Sequence, residues 1–106
     1  MIERDVMQAT LSTVDGKTTI KLQGRFDFNA HREFREAVDG AIAGTGREIV
    51  VDLGIVDYLD SSALGMLLML RDKAKGANRE ISLSNCKGSV KQVLDIANFG
   101  RLFNIT

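Results

Sequence analysis

The chain has 106 residues, of which 44% are hydrophobic and 26% charged, the composition of a soluble globular protein with one small core. Fourteen basic residues balance fourteen acidic ones, which excludes the strong positive field of a nucleic-acid binder. No apolar run approaches the roughly 18 residues of a membrane span, and charges interrupt the start "MIERDVMQAT" where an export signal needs an apolar centre. We therefore expect one cytoplasmic domain over residues 1–106 that contacts neither membrane nor nucleic acid directly.

The first element is predicted to be a β-hairpin. In "QATLSTVDGKTTIKLQ" the pair Asp15-Gly16 lies between two segments of alternating hydrophobicity, a strong hairpin signal. A two-residue loop places Leu11 opposite Ile20 and Ala9 opposite Leu22. The apolar residues of both strands then share one face, as a hairpin buried on one side requires.

A helix follows "GRFDF", and Asn29 is predicted to cap it because asparagine side chains accept hydrogen bonds from free N–H groups at helix starts. Gly44 and Gly46 are predicted to end it. His31, the single histidine, lies early in this helix and is expected to be an exposed surface residue. The apolar positions recur at helical spacing; they are Ala30, Phe34, Ala37, Val38, Ala41 and Ile42.

The segment "EIVVDLG" is predicted to be a short central strand, covered on both faces and parallel to its neighbours. The loop "GIVDYLDSS" follows, and a second helix runs from about Ser61 to Lys75 and ends at Gly76. "EISLSN" is predicted to be a further strand. Cys86 follows it and is the one cysteine of the sequence, so it cannot form an internal disulfide and is expected to be a small buried hydrophobic residue.

The chain is predicted to finish with the helix "SVKQVLDIA", a left-handed Asn98 and a closing strand "RLFNI". The element order is β-β-α-β-α-β-α-β, which indicates an α/β fold. We expect a mostly parallel central sheet of about four to five strands, an antiparallel N-terminal hairpin and helices packed against the sheet. Functional sites in such sheets lie at the loops after the carboxyl ends of strands, where "GIVDYLDSS" lies.

The stretch "LDSSALGMLLML" permits three interpretations: a helix cap, a nucleophile or a site of modification. Capping by Asp60, Ser61 or Ser62 would satisfy free N–H groups of the helix. Capping alone does not explain why the helix is apolar nearly all round. A helix of this kind is covered on two sides or partly exposed for a partner; its apolar residues are Leu64, Met66, Leu67, Leu68, Met69 and Leu70.

Catalysis is not expected. A hydrolytic serine needs a base and an oxyanion site, but the G-x-S-x-G turn is absent and His31 lies on an amphipathic helix. Asp57 and Asp60 are spaced as acids commonly are in loops, a weak signal for acid-base or Mg²⁺ chemistry. The run "GTGREIV" lacks the Lys-Ser/Thr pair of a phosphate-binding loop. We expect no enzyme activity, no cofactor and no metal.

Modification needs only an exposed hydroxyl beside a surface whose binding a charge would change. A phosphate adds about −1.5 to −2 charges, and a helix start tolerates it because free N–H groups and the helix dipole favour anions. Beside Asp57 and Asp60, a phosphate on Ser61 would concentrate negative charge and oppose a complementary partner.

The residues of this stretch resemble a known family. "VDLGIVDYLDSSALGMLLMLRDKAKGANREISLSN", with "IKLQGRFDF" before it and "VKQVLDIANFGRLFNI" after it, is similar to the anti-sigma factor antagonists, which are STAS-domain proteins of bacterial partner-switching systems. "D-S-S-A-L-G" is the most specific part. Ala63 and Asn98 stand where many members have glycine; alanine favours the helix, and asparagine tolerates the left-handed conformation.

The resemblance implies a cycle. The unmodified protein binds an anti-sigma factor that is also a GHKL-type serine kinase, and the kinase phosphorylates Ser61 and dissociates. A PP2C-type phosphatase then restores the binding form. We expect a protein that is monomeric when free. The implied partner-binding residues are Asp27, Asp57, Asp60, Ser62, Leu64 and Met66.

A second interpretation remains open: the same fold also occurs in sensory and transport proteins, where it serves as a ligand-binding or scaffold domain without a phosphoswitch.

Overall fold

A computed structural model describes residues 7–106 and shows one five-stranded sheet in the order β1-β2-β3-β4-β5. The β1–β2 pair is antiparallel and every other pair is parallel. The predicted α/β class and element order are therefore confirmed. The prediction about an export signal concerns residues that lie mostly outside the described range. The strands are Gln8–Val14, Lys17–Phe26, Glu48–Leu59, Glu80–Ser84 and Asn104–Ile105, numbered β1 to β5.

The hairpin has the predicted turn and register. Asp15 and Gly16 both adopt positive φ, of 52° and 78°, which matches the right-handed twist of the two strands. Leu11 lies opposite Ile20 and Ala9 opposite Leu22. Ile20 is fully buried, whereas Leu11 keeps 43% exposure because β1 is the edge of the sheet.

The first helix, α1, spans His31–Ala43 and follows a single 3₁₀ turn at Phe28–Ala30. The prediction that Asn29 caps it is wrong. Asp27 caps the 3₁₀ turn, since its Oδ1 accepts the backbone N–H of Asn29 at 3.0 Å, and α1 itself follows Ala30 without a side-chain cap. The chain therefore turns earlier than predicted. Gly44 ends α1 as expected, and His31 is exposed.

Strand β3 corrects the prediction in two ways. It extends to Leu59, through the segment predicted to be a loop, because β2 also continues and pairs with it as far as Phe26. Helices cover one face only, since Lys21 and Gln23 of the neighbouring strand β2 are exposed on the other. Val50 is buried on that open face, where its strand partners are Thr19 and Ser82.

The other helices are α2, Ser61–Gly76, and α3, Gly88–Ile96. Helix α2 packs on β3, β4 and α1, and this double cover accounts for much of its apolar character. Asn98 is left-handed as predicted, with φ of 60°. The closing strand is shorter than predicted because Phe99–Arg101 form a 3₁₀ turn. No helix within residues 7–106 has the length and apolar character needed to cross a membrane.

The core lies between the sheet and the helices as one continuous cluster. Two aromatic pairs belong to it: the ring centroids of Phe26 and Phe34 are 5.0 Å apart, and those of Phe99 and Phe103 are 5.4 Å apart. Fully buried aliphatic side chains make up much of the rest; they include Ile20, Leu22, Val38, Ile49, Val51, Leu53, Leu67, Leu70, Leu83 and Leu94.

The Arg79 side chain fixes the connection between α1 and β3, a feature that the sequence did not predict. Its guanidinium donates to four backbone carbonyl groups at distances of 2.8 to 3.2 Å. These groups belong to the end of α1 and the following loop, where a helix leaves its last carbonyls without intrahelical partners. The accepting residues are Ala41, Ile42, Gly44 and Gly46.

Candidate functional site

The ends of β2 and β3 bring two acidic turns together. Phe26 and Leu59 are paired at the ends of these parallel strands, and the N–H of Asp60 donates to the carbonyl of Phe26 at 3.3 Å. Each strand is followed at once by an aspartate, Asp27 after β2 and Asp60 after β3. The start of α2 therefore lies beside the turn that leads into α1, as the parallel topology requires.

Asp60 is the cap of α2. Its Oδ1 accepts the N–H of Ala63 at 2.9 Å, a bond that satisfies one of the free donors of the helix start. Ser61 and Ser62 are exposed, and the hydrogen bonds found within residues 7–106 include none from the Ser61 hydroxyl. The capping interpretation thus belongs to Asp60, and Ser61 presents its hydroxyl to solvent at the first position of the helix.

Asp27 is held in place from two directions. It is only 7% exposed, and its Oδ1 accepts the N–H of Asn29. Its Oδ2 accepts from Nε of Arg25 at 3.4 Å. The Arg25 guanidinium in turn lies over the Tyr58 ring, 4.1 Å from its centroid, within the range of a cation–π contact.

The remaining predicted residues divide by exposure. Asp57 and Ser62 are exposed, and Leu64 is half-buried against the core. Met66 is only 3% exposed and belongs to the core. It lies three residues after the fully buried Ala63, so both occupy the stripe of α2 that faces inward. Met66 therefore packs in the core and is not exposed together with Asp57 and Ser62.

The sequence did not single out the exposed apolar side chains near these turns. Phe28, directly after the capping aspartate, is 66% exposed, and Tyr58 is 41% exposed. The 3₁₀ turn that carries Phe28 contacts α2. An aromatic residue beside a capping acid was the available signal, and it was missed because the cap was placed at Asn29.

Two further features bear on ligands. Within residues 7–106, no group of three or more His, Cys, Asp and Glu side chains is arranged to hold a metal ion. An open groove of about 240 Å³ runs between β1 and α1, away from the ends of β2 and β3. It is lined by Ala9, Leu11, Glu33, Glu36 and Ala37.

Comparisons with known proteins agree on the family. The chain matches the family model described as "Mlab, STAS domain" over residues 9–104. It is 55% identical over 97 residues to a STAS-domain containing protein of Pseudomonas aeruginosa (strain UCBPP-PA14), covering 91% of this chain and 95% of that protein. It is 31% identical over 100 residues to BtrV of Bordetella bronchiseptica, a candidate anti-sigma factor antagonist by name, covering 93% and 85%.

Solved structures share the fold at lower identity. An anti-sigma factor antagonist from Mycobacterium paratuberculosis superposes with a TM-score of 0.85 at 16% identity, covering 99% of this chain and 89% of the other. SpoIIAA in its unphosphorylated form gives a TM-score of 0.76 at 22% identity, covering 92% and 87%. The phosphorylated form of the Bacillus protein SpoIIAA gives 0.69 at 21% identity, covering 92% and 90%.

Proposed function

The chain belongs to the STAS domain family, and from this premise we propose that it is an anti-sigma factor antagonist whose binding is switched off by phosphorylation of Ser61. The partner is an anti-sigma factor with GHKL-type serine kinase activity. The unmodified antagonist binds this partner and releases its client. A PP2C-type phosphatase removes the phosphate and restores the binding form.

The observation that carries the proposal is that the helix cap and the exposed hydroxyl at the start of α2 belong to different residues. Asp60 caps the helix, so the exposed Ser61 hydroxyl is not needed for the fold. The kinase can transfer the γ-phosphoryl group of ATP to Ser61 Oγ while ADP leaves and the hydroxyl proton passes to a base of the kinase. The existence of phosphorylated and unphosphorylated structures of SpoIIAA supports a switch of this kind in a protein of the same fold.

Charge explains how one phosphate could end binding without unfolding the domain. The free N–H groups and the dipole of α2 favour an anion at Ser61. Asp57 and Asp60 lie within four residues of the phosphate along the chain, so the partner would face several negative groups in one patch. An unpaired dianion at a desolvated interface costs several kcal/mol, and each 1.4 kcal/mol changes affinity about tenfold.

The proposed partner surface surrounds Ser61. Exposed Asp57 and Ser62 and the half-buried Asp60 and Leu64 belong to it, with Asp27 in the adjacent turn. We add the exposed Phe28, because aromatic side chains near the centre of an interface contribute large apolar contacts.

The experiment is a pull-down from lysate of the source cells with wild type, Ser61→Ala and Ser61→Asp as baits. Ser62→Asp is the matched control, since it places the same charge on the neighbouring exposed position. Circular dichroism verifies that every bait is folded. We expect a GHKL-type kinase with wild type and Ser61→Ala, none with Ser61→Asp, and a weaker effect of Ser62→Asp.

Recovery of the same kinase by folded Ser61→Asp, at the wild-type level, would contradict the switch. If none of the baits recovers a kinase, and a small molecule instead copurifies with the protein, the ligand-binding or scaffold interpretation replaces it.

A further inference from the structure

Arg25 stands out at the proposed switch because of its charge. The segments 25–30 and 57–62 together contain three carboxylates, Asp27, Asp57 and Asp60, and Arg25 is their one arginine or lysine. His31 follows at the start of α1 and is exposed. A phosphate on Ser61 would thus enter a region of negative charge in which one guanidinium is permanently cationic.

Among the described residues, the Arg25 guanidinium has two contacts and further N–H groups without a partner. It lies on the Tyr58 ring, and its Nε donates to Asp27 over a long 3.4 Å contact. Its other four N–H groups make no hydrogen bond within residues 7–106. The side chain is 46% exposed. A guanidinium held against an aromatic face with free donors is well suited to bind an anion, because little side-chain freedom is lost when the anion arrives.

The backbone brings the end of β2, which carries Arg25, next to the end of β3, which precedes Ser61. Arg25 is paired with Tyr58 across the two strands, and the N–H of Asp60 bonds to the carbonyl of Phe26. Asp27 directly follows Phe26, and Ser61 directly follows Asp60. Arg25 contacts Asp27. Arg25 and Ser61 therefore lie close to neighbouring strand ends, within the same group of turns.

We infer that Arg25 is the counter-charge of phosphorylated Ser61 and that it exchanges Asp27 for the phosphate when the serine is modified. This inference rests on the proposed function. A phosphate offers two oxygens to a guanidinium and carries about twice the charge of a carboxylate, so it is the stronger acceptor. The exchange leaves Asp27 without its cation. Arg25 would then connect modification of Ser61 to the electrostatic state of the neighbouring turn.

The test is a ³¹P NMR titration of protein carrying phosphoserine at position 61, introduced by genetic code expansion so that no kinase is needed. Wild type is compared with Arg25→Gln and Arg25→Lys. Lys21→Gln is the matched control, because Lys21 is an exposed cation on the same strand, four residues away. All proteins carry His31→Gln, so that the one histidine of the sequence is absent from every sample.

We expect Arg25→Gln to raise the midpoint of the phosphate titration by about 0.5 pH unit, because loss of a nearby cation disfavours the dianion. Arg25→Lys should restore part of the change, and Lys21→Gln should leave the midpoint at the wild-type value. Equal midpoints in wild type and Arg25→Gln would overturn the inference, as would equal increases in Arg25→Gln and Lys21→Gln. Neither result depends on kinase binding, which the bait experiment decides separately.

Discussion

The carboxylate of Asp60 accepts the N–H of Ala63. Asp60 therefore caps α2, although the hydroxyl of the adjacent Ser61 is also of a type that can cap a helix. Sequence patterns assign capping to a short polar run, whereas the structure assigns it to one side chain. Ser61 consequently keeps an exposed hydroxyl that the helix cap does not use.

Asp60→Ala should lower the free energy of unfolding by about 1 kcal/mol, the usual effect of removing a capping side chain. Asp60→Asn retains an oxygen that can accept the Ala63 N–H, and it should change stability by only a few tenths of that amount. Urea unfolding followed by circular dichroism measures both. An Asp60→Ala variant as stable as wild type would show that the bond does not hold the start of α2.

Cys86 predicts a dependence of stability on alkaline pH. Burial raises the pKa of the Cys86 thiol above its ordinary value of 9.0, with Asp52 and Asp95 adding to the increase and Lys91 opposing it. From about pH 9 upward the unfolded chain therefore loses the thiol proton before the folded chain does, and the free energy of unfolding falls as pH rises.

The measurement for Cys86 compares urea unfolding at about pH 8 and about pH 10. Wild type should lose more stability over this interval than Cys86→Ala, which has no thiol to ionise. Parallel losses in the two proteins would contradict the raised pKa, because lysine and tyrosine titrations are common to both.

At the scale of elements, Arg79 joins the end of α1 to the loop before β3. Arg79→Ala leaves four backbone carbonyls without this donor, and we expect a loss of about 2 kcal/mol or more. Arg79→Lys should recover only part, since an ammonium group lacks the planar geometry that reaches several carbonyls. Arg47→Ala, at an exposed arginine of the same connection, is the control and should change stability by less than about 0.5 kcal/mol. Chemical denaturation of the three variants provides the comparison, and equal stabilities would refute the role.

The elements also show what local sequence could predict. The hairpin was predicted with its register because Asp15-Gly16 and alternating apolar residues act over a short range. The extension of β3 to Leu59 was missed because it depends on β2 as a partner, which local sequence does not encode. The role of Arg79 was missed for the same reason, since its acceptors lie more than thirty residues earlier.

At the scale of the molecule, the parallel topology assembles the candidate site from distant segments. The residues of the opening stretch identified Ser61 and Asp60, whereas Asp27 was implied only by the family resemblance, and the structure places the two turns side by side. Burial was harder to predict. Met66 was expected on the surface and lies in the core, because the orientation of α2 depends on how α1 and the sheet cover it. The exposed Phe28 was missed because it lies in a 3₁₀ turn capped by Asp27, whereas the sequence pattern predicted a helix capped by Asn29.

The most direct test of the phosphoswitch is the affinity of the captured kinase for two forms of the same chain, unmodified and carrying phosphoserine at position 61. Isothermal titration calorimetry in the presence of a non-hydrolysable ATP analogue measures both without further phosphorylation. We predict that the phosphate weakens binding at least about 100-fold while circular dichroism shows an unchanged fold. Equal affinity of the two forms would contradict the account.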